Sequence, residues 1–251
     1  MHGPAPDKAA TIVMLHEGLG CIDLWRSFPQ DLAKATGLGV FAYSREGYGN
    51  SDPAPLPRPL DYMERHAREV LPHVLDAVAP RSAILLGHSD GASIAALYLG
   101  NFQDMRIRGL ILMAPHFFTE PEGLRSIAEA KEAYESGDLR QRLARYHKDV
   151  DNSFRGWNDA WLHPDFAAWN IGYAIDYVRV PVLAIQGRND QYGSLAQIEE
   201  LEHRLYSPLE SVILDDCRHS PFVDKPKETV DAVAGFVARL VRIEAEKVEI
   251  A

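Results

Sequence analysis

Six short runs of apolar residues recur along the chain, and stretches with helical periodicity separate most of them. The runs are nearly continuous rather than alternating, which is typical of strands buried on both faces of a sheet. They predict strands at residues 11–16, 39–44, 82–87, 108–114, 181–187 and 211–216. The helical patterns predict helices at residues 22–36, 60–79, 91–101, 194–206 and 225–247. This alternation predicts an α/β fold, a mostly parallel sheet with helices on both faces.

One long interval breaks the alternation. Residues 116–178 contain no strand signal, but they are rich in charged and aromatic side chains and show helical periodicity. Because an unstructured loop of that length is uncommon in a compact domain, we interpret the interval as a small helical subdomain inserted between two strands. The sequence therefore predicts a core made of residues 1–115 and 179–251, with residues 116–178 inserted into it.

The third apolar run ends in Gly-His-Ser-Asp-Gly, and a helix-forming sequence follows at once. A serine hydroxyl becomes a nucleophile only with a base that removes its proton and donors that stabilise the oxyanion. A sharp turn from strand to helix lifts the serine clear of the sheet and points helix amides at the reacting carbonyl. Such a turn leaves no room for flanking side chains, which accounts for Gly87 and Gly91. Ser89 is the predicted nucleophile; the alternative is a glycine-rich turn with an incidental serine.

Two further residues follow in the order that this type of site requires. Asp190 comes just after the fifth apolar run, and His219 lies in the loop after the sixth. Because sites of α/β sheets gather at the carboxyl ends of the strands, both are expected near Ser89. His219 is predicted to accept the serine proton, and Asp190 to orient the imidazole. Asp215 and Asp216 are alternatives for the acid, and a turn aspartate with a structural histidine is the alternative for the pair.

At these residues the chain resembles the α/β-hydrolase fold superfamily, in particular its serine esterase-like members with a helical cap. The matching segments are LHEGLG, YSREGYGNSDP, GHSDG, GRND and RHSPF, which span almost the whole chain. The resemblance implies that residues 116–178 form the cap. It also implies an oxyanion hole made by two backbone amides, those of Asp90 and Gly18, with Leu19 as the alternative to Gly18.

The chain departs from the family pattern in three places. Glu17 occupies a position that is usually glycine, Ser44 replaces a frequent aspartate, and only ten residues precede the first strand, which shortens or removes the usual edge hairpin. Glu17 is interpreted as a second acid near the oxyanion loop or as a residue that caps a turn or pairs with Arg45.

Asp90 suits a helix N-terminus for capping and dipole reasons. The alternative for Asp90, implied by resemblance to hydrolases of amino-acid esters, is a carboxylate that binds the substrate's amine.

Several residues are candidates for the substrate pocket. His116 and Phe117 follow the fourth apolar run and are expected at the pocket mouth beneath the cap. Among the aromatic residues of the inserted segment, Trp157 and Trp161 are the favoured pocket residues, and the others are interpreted as the segment's own core. Together with Leu19 of the first loop, these residues predict a pocket that favours an apolar or aromatic substrate.

The overall composition disfavours several classes of partner. The formal charge is −10 and the sequence pI is about 5.4. Because an acidic chain repels phosphate backbones and anionic lipids, neither nucleic acid nor a membrane surface is expected as a partner. Two cysteines and an N-terminus unlike a signal peptide indicate a reduced, cytoplasmic protein. The sequence contains no metal-ligand spacing and no complete dinucleotide fingerprint, so no cofactor is predicted.

The sequence thus predicts a cofactor-independent serine hydrolase that cleaves a small-molecule carboxylic ester through an acyl-enzyme on Ser89. The cleaved bond stays open among alternatives that use the same residues: a lactone, a thioester, a C–C bond, an amino-acid ester or a bulky natural-product ester. A near-silent ligand-binding protein of the same fold is a further alternative. A dehalogenase is disfavoured, because those enzymes carry aspartate at the position of Ser89.

Overall fold

The computed structural model describes residues 1–245, so the ends of the predicted helix 225–247 and of the predicted core segment 179–251 lie outside the described residues. The six predicted strands are confirmed, and they pair in parallel in the order β2-β1-β3-β4-β5-β6. Their bounds are β1 (Thr11–Leu15), β2 (Gly39–Ala42), β3 (Ala83–His88), β4 (Ile107–Met113), β5 (Val182–Gly187) and β6 (Leu209–Leu214).

The α-helices are α1 (Phe28–Thr36), α2 (Tyr62–Arg65), α3 (Leu71–Val78), α4 (Asp90–Asn101), α5 (Pro121–Ser136), α6 (Leu139–Leu143), α7 (Val150–Trp161), α8 (Ala196–Arg204), α9 (Pro221–Asp224) and α10 (Pro226–Ala245). Short 3₁₀ turns occur at Ile22–Trp25, Pro164–Ala168 and Gly172–Tyr177. The predicted helix 60–79 is divided by a π-helical turn at His66–Val70. Pro72 follows that turn, and because proline has no N–H to donate, the regular α-helical ladder is interrupted there.

Helices cover both faces of the sheet. Alternate residues of a strand point to opposite faces, so Ile12 and Met14 of β1 pack with α1 and α10 in one apolar cluster. Val13 and Leu15 of the same strand pack with α4 and the inserted helices in the other. A strand that is buried on both sides needs apolar residues at every position, which is why the sequence showed continuous runs.

The segment between β4 and β5 is helical, as its periodicity predicts. It holds α5, α6 and α7, and the rings of Tyr134 and Phe154 stack between α5 and α7 with centroids 3.7 Å apart. The last turn, Gly172–Tyr177, packs against α4 on the sheet, where a Cβ at Gly100 would lie 2.7 Å from the Cβ of Ala174. The end of the segment is thus held by the core layer.

The amino-terminal residues pair weakly with the sheet edge. His2 and Val40 exchange two backbone hydrogen bonds of 2.9 Å in a single antiparallel bridge. The edge hairpin expected to be shortened or absent is therefore reduced to one bridge in this chain. Within residues 1–245, no helix has both the length and the apolar character that crossing a bilayer requires.

Candidate active site

Ser89 lies at the sharp turn between β3 and α4. Its φ of 53° and ψ of −120° are outside the regions that a residue with a side chain normally adopts, so the backbone is strained there. The two flanking glycines make the turn possible. A Cβ at Gly87 would lie 2.3 Å from the Gly91 carbonyl oxygen, and a Cβ at Gly91 would lie 2.1 Å from the Leu15 carbonyl oxygen. The chain therefore needs glycine at both positions to expose Ser89 at the end of the sheet.

His219 and Asp190 meet at the same end of the sheet. The Nδ1–H of His219 donates to the carboxylate of Asp190, with distances of 2.8 Å to Oδ2 and 2.9 Å to Oδ1. The backbone amide of Tyr192 and the Nε2 of Gln186 also donate to Asp190, at 2.8 and 2.9 Å. Burial opposes ionisation of Asp190, but the charge of His219, its hydrogen bond and that of the Tyr192 amide outweigh burial and lower the pKa of Asp190 to about 2. The acid is thus held as a carboxylate against the imidazole.

Of the two alternative acids, Asp215 points away from His219. Its carboxylate accepts a hydrogen bond of 2.6 Å from Arg188 on the protein surface. Asp216 lies at a turn with φ of 51°. Of the three candidate acids, Asp190 is the one that contacts the His219 ring.

Three hydrogen-bond donors hold the loop after β1 through one backbone carbonyl, that of Glu17. The Glu17 oxygen accepts from His16 Nδ1 at 2.7 Å, from Arg45 Nη2 at 2.8 Å and from the Gly20 amide at 3.0 Å. In a trans peptide the carbonyl and the next amide point in opposite directions. The Gly18 amide is therefore turned away from these donors, and Gly18 lies on the wall of the cavity that contains Ser89.

The Glu17 side chain does not form an ion pair with Arg45, which was one of the interpretations of the sequence. Arg45 binds the main-chain carbonyl of Glu17 instead, and the Glu17 carboxylate lies 3.3 Å from the Nδ1 of His88. Arg45 is occupied by its contact with that carbonyl and with the ring of His16. Because His88 is fully buried directly beside Ser89, the carboxylate is drawn toward the active-site end of β3.

Most of the predicted site residues, though not Asp190 or Phe117, line a cavity of about 190 Å³. Its wall comprises Glu17, Gly18, Leu19, Ser89, Asp90, His116, Ile127, Trp157, Trp161, Gln191, Tyr192, His219 and Ser220. A larger cavity of about 460 Å³ lies at the opposite end of the sheet, near the first residues of β4 and β5, and includes none of the predicted site residues. Ser89 thus lies on the wall of the smaller cavity and not of the larger one.

Asp90, Tyr62 and Trp161 of α7 form one hydrogen-bonded arrangement. The indole N–H of Trp161 donates to the Tyr62 hydroxyl at 3.0 Å, and that hydroxyl donates to Asp90 Oδ2 at 2.5 Å. The other carboxylate oxygen, Oδ1, is buried without a hydrogen-bond partner. Burial raises the pKa of Asp90, although Arg45 and Tyr62 favour its ionised form. The carboxylate therefore accepts from Tyr62 rather than capping the helix through its side chain.

Trp157 and His116 lie on the cavity wall, as expected. A Cβ at Gly18 would lie 2.2 Å from the Trp157 indole, so the loop needs glycine there to let the ring pack against it. The rings of His116 and His219 have centroids 5.6 Å apart. Burial, together with the charge of His219, lowers the pKa of His116 to about 3, so that ring is neutral near neutral pH.

The expectation for Phe117 needs correction. Phe117 is fully buried in the apolar cluster that contains α4, and it does not reach the cavity wall. Its amide donates to Gln197 at 2.7 Å and its carbonyl accepts from Ile171 at 2.7 Å. The polypeptide turns after His116, so adjacent residues face different environments.

Polar contacts also fix the inserted segment to the loops around the site. Between α6 and α7, His147 donates from Nε2 to the Leu19 carbonyl at 3.0 Å and accepts the Gly49 amide at Nδ1 at 2.9 Å. Asn152 forms a reciprocal pair with the backbone of Ala54, at 2.8 and 3.0 Å. These contacts hold α7 against the loops after β1 and β2.

Sequence reasoning missed four of these residues. Gln186, Tyr62, His147 and His88 each bind a group that belongs to the site. Gln186 carried a usable signal, since a polar residue within a continuous apolar run must find a buried partner. For Tyr62 and His147 the sequence offers no such signal, because their partners are far away in the chain.

A sequence model of the alpha/beta hydrolase family matches residues 12–232, which is most of the chain. The chain belongs to this family, which confirms the resemblance drawn from its motifs. A pimeloyl-[acyl-carrier protein] methyl ester esterase of Aeromonas salmonicida (strain A449) is 29% identical to it over 261 residues, covering 94% of this chain and 96% of that protein.

Solved structures of other hydrolases share the fold. The esterase RhEst1 from Rhodococcus sp. ECU1013 has a TM-score of 0.72 and 21% identity, covering 95% of this chain and 93% of that one. A carboxylesterase structure from Nitrososphaera gargenis has a TM-score of 0.75 and 19% identity, covering 96% and 93%. At these identities the likeness shows a common fold.

Proposed function

We propose that the protein is a serine hydrolase that cleaves a carboxylic ester. The observation that carries this proposal is the placement of Ser89 at the strained turn, in one cavity with a histidine held by a buried carboxylate. That constellation provides a nucleophile, a base and an orienting acid. The similarity to a methyl ester esterase supports the same reaction.

In the proposed reaction, Ser89 Oγ attacks the ester carbonyl while His219 accepts the serine proton. Because Nδ1 of His219 is bound to Asp190, its Nε2 is the nitrogen left for this transfer. His219 then returns the proton to the leaving alcohol, and an acyl-enzyme remains on Ser89. Water then attacks the acyl carbon while His219 removes its proton. The bond between the acyl carbon and Ser89 Oγ breaks, His219 returns the proton to Oγ, and the carboxylic acid is released.

The developing oxyanion is assigned to the backbone amides of Gly18 and Asp90. Asp90 is the first residue of α4, where the helix dipole favours negative charge. The three donors on the Glu17 carbonyl support the Gly18 assignment, because they fix the peptide plane before substrate arrives. The amide of Leu19 is the alternative donor from the same loop.

Residues 116–178 serve in this proposal as a cap over the core formed by residues 1–115 and 179–251. The cap contributes Ile127, Trp157 and Trp161 to the cavity wall, and the adjoining loops contribute His116 and Leu19. Large aromatic rings in a cavity of about 190 Å³ favour a short or flat acyl group. The first candidate substrate is therefore a small ester.

A second candidate is a methyl ester at the end of a carrier-bound acyl chain. It is favoured by the 29% identity to the pimeloyl-[acyl-carrier protein] methyl ester esterase over almost the full length of both chains. In that reaction only the small methyl ester end needs to enter the cavity. A comparison of methyl esters with the corresponding ethyl and aryl esters, free and carrier-bound, separates the two candidates.

The first test combines intact mass with turnover. A fluorophosphonate probe should add once to the wild-type protein, and p-nitrophenyl acetate and butyrate should be hydrolysed. Both signals should disappear in Ser89→Ala, with kcat falling by about 10⁵-fold or to background. Ser93→Ala is the matched control, because Ser93 is a buried serine on the same helix whose hydroxyl donates to the His116 carbonyl at 2.6 Å.

The outcomes are distinct. An adduct that persists in Ser89→Ala would place the nucleophile elsewhere. Folded wild-type protein that binds small esters without turnover would favour the ligand-binding alternative. If thioesters or lactones are turned over faster than esters, the roles assigned to the residues stand and the proposed substrate class changes.

A further inference from the structure

A buried polar link lies beside the proposed reacting groups, and the mechanism above does not use it. His88 precedes Ser89 and is fully buried. Its Nε2 lies 2.7 Å from the backbone carbonyl of His219, and its Nδ1 lies 3.3 Å from the Glu17 carboxylate. A carbonyl and an ionised carboxylate only accept hydrogen bonds, so both ring nitrogens of His88 donate when Glu17 is ionised, whereas a protonated Glu17 would donate to Nδ1 instead. This geometry fits a protonated imidazole at His88 paired with an ionised Glu17.

The surroundings of His88 favour this charge state. Burial opposes a cation there, but Glu17, the His219 carbonyl and Asp190 outweigh burial and raise the pKa of His88. Burial likewise opposes the Glu17 anion, and His88 outweighs it and lowers the pKa of Glu17. The other titratable groups that act on this pair are His219, His116, Cys21 and His147.

We propose that the Glu17–His88 ion pair is a positioning device for catalysis, which fixes the backbone of His219 and neutralises the carboxylate that faces the oxyanion site. This inference rests on the proposed function, since the position of His219 matters only if His219 acts as the base. The pair connects three separate segments: the loop after β1, the end of β3 and the loop after β6. It therefore links the segments that carry the proposed nucleophile, base and oxyanion loop to one another.

The local sequence makes space for the pair. Glu17 stands where a glycine is usual, and a Cβ at Gly20 would lie 2.4 Å from its Oε2. Gly20 thus leaves room for the carboxylate to turn toward His88. The rings of Trp25 and Phe222 pack around His88, with centroids 6.1 and 5.5 Å away, and they shield the imidazole from water, while the Glu17 side chain is partly exposed.

The charge balance has a direct consequence for His219, whose ring centroid is 5.0 Å from that of His88. In the wild-type protein the His88 cation opposes the effect of the Glu17 anion on His219. Without the His88 cation, the Glu17 anion would favour the protonated form of His219 and oppose the negative charge of the oxyanion. Without both charges, His219 would again meet a nearly neutral environment.

The first experiment measures protonation directly and does not depend on turnover. Protein labelled with ¹⁵N-histidine is examined by NMR near pH 7, and the His88 signals are assigned by their loss in His88→Gln. Both ring nitrogens of His88 are expected to carry protons. A non-protonated ring nitrogen at His88 would overturn the proposal, even if the protein proves to be an esterase.

The second experiment is a double-mutant cycle with Glu17→Gln and His88→Gln. Glutamine at position 88 retains a donor for the His219 carbonyl but carries no charge. We expect His88→Gln to lower kcat by roughly 10- to 100-fold and to shift the acid limb of kcat/KM upward by about one pH unit. The double variant should return the limb to its wild-type position. His203→Gln, an exposed histidine on α8, is the control.

A purely structural role for His88 predicts a different result. In that case the double variant would lose at least as much activity as His88→Gln, and the acid limb would not return. That outcome would overturn the proposal, while the adduct on Ser89 would still report whether the protein is a serine hydrolase. Failure of the proposed function and failure of the inference are therefore distinguishable.

Discussion

The loops at the carboxyl ends of the strands and the helices α5–α7 face each other across one cavity, and different forces shape them. The loops hold a strained serine, buried charges and backbone amides without helical partners. The helices contribute aromatic rings and are tied down by neutral hydrogen bonds to main-chain atoms. Under the proposed function, the loops supply the reacting groups and the helices shape the pocket for the substrate.

This difference teaches that the two sides should respond differently to substitution. A change in the strand-end loops should alter kcat or global stability, because charge and backbone geometry tolerate little adjustment. A change in α7 should mainly alter selectivity, because an aromatic wall can be reshaped. The following changes test that contrast.

Asp190→Asn should have the largest effect. The amide cannot favour the imidazolium, and it can bind His219 in the wrong tautomer, so kcat should fall by about 10⁴-fold at neutral pH. Steady-state hydrolysis of p-nitrophenyl acetate measures the loss. Asp215→Asn, on the surface next to Arg188, is the matched control and should stay close to wild type. Equal losses in the two variants would contradict the assignment of the acid.

The same residue predicts a pH dependence of stability. The pKa of Asp190 is lowered to about 2 in the folded protein, below the ordinary value of an unfolded aspartate. Its carboxylate therefore stabilises the fold above about pH 4, and this contribution is lost as the pH falls toward 2. Urea unfolding of wild type and Asp190→Asn should differ more at pH 7 than at pH 2.5. A constant difference would disprove the coupling.

Gly91→Ala should be the most destabilising of the small substitutions. The new Cβ would lie 2.1 Å from a main-chain oxygen of β1, which cannot move without disturbing the sheet. We expect a loss of about 3 kcal/mol in the free energy of unfolding. Gly235→Ala on α10 is the control. Its Cβ would meet only the end of the Arg239 side chain, so the free energy of unfolding should rise by about 1 kcal/mol. The midpoints of urea unfolding report both.

Trp157→Phe should change selectivity more than rate. The smaller ring leaves space beside Gly18, so longer acyl chains should be accepted. The ratio of kcat/KM for p-nitrophenyl octanoate to that for the acetate should rise by about tenfold. Trp169→Phe makes the same substitution in the inserted segment but away from the cavity wall, and it should leave the ratio unchanged. A similar rise in both variants would indicate a general loosening of the segment.

Asn152→Ala should have the smallest effect. It removes the two hydrogen bonds to the backbone of Ala54, which should lower the free energy of unfolding by about 1–2 kcal/mol. Hydrolysis of the acetate should remain within about twofold of wild type, because the contact lies outside the cavity. Asn50→Ala, exposed in the neighbouring loop, provides the control. A large loss of kcat would show that α7 also sets the catalytic geometry.

The sequence was sufficient for features that depend on short-range pattern. Strands buried on both faces appear in the sequence as continuous apolar runs. The turn at Ser89 needs glycine at two fixed positions, so both features were predictable. Asp190 and His219 were predictable because parallel strands bring their ends together. These inferences use spacing along the chain and one property of sheets.

Features that depend on contacts between distant segments were not predictable in the same way. Phe117 is next to His116, yet one is in the core and the other on the cavity wall, because the direction of each side chain depends on the local turn. Tyr62 and Trp161 meet Asp90 from two separate segments. The partner of Glu17 is 71 positions away, at His88. A single sequence carries no trace of such pairings.

The buried pair of Glu17 and His88 also constrains how this protein can evolve. A carboxylate without its cation, or a buried cation without its carboxylate, is costly. A lineage that replaces one residue should therefore soon replace the other, and the intermediate should be a poorer enzyme. In relatives of this chain, glutamate at position 17 and histidine at position 88 are expected to be gained and lost together.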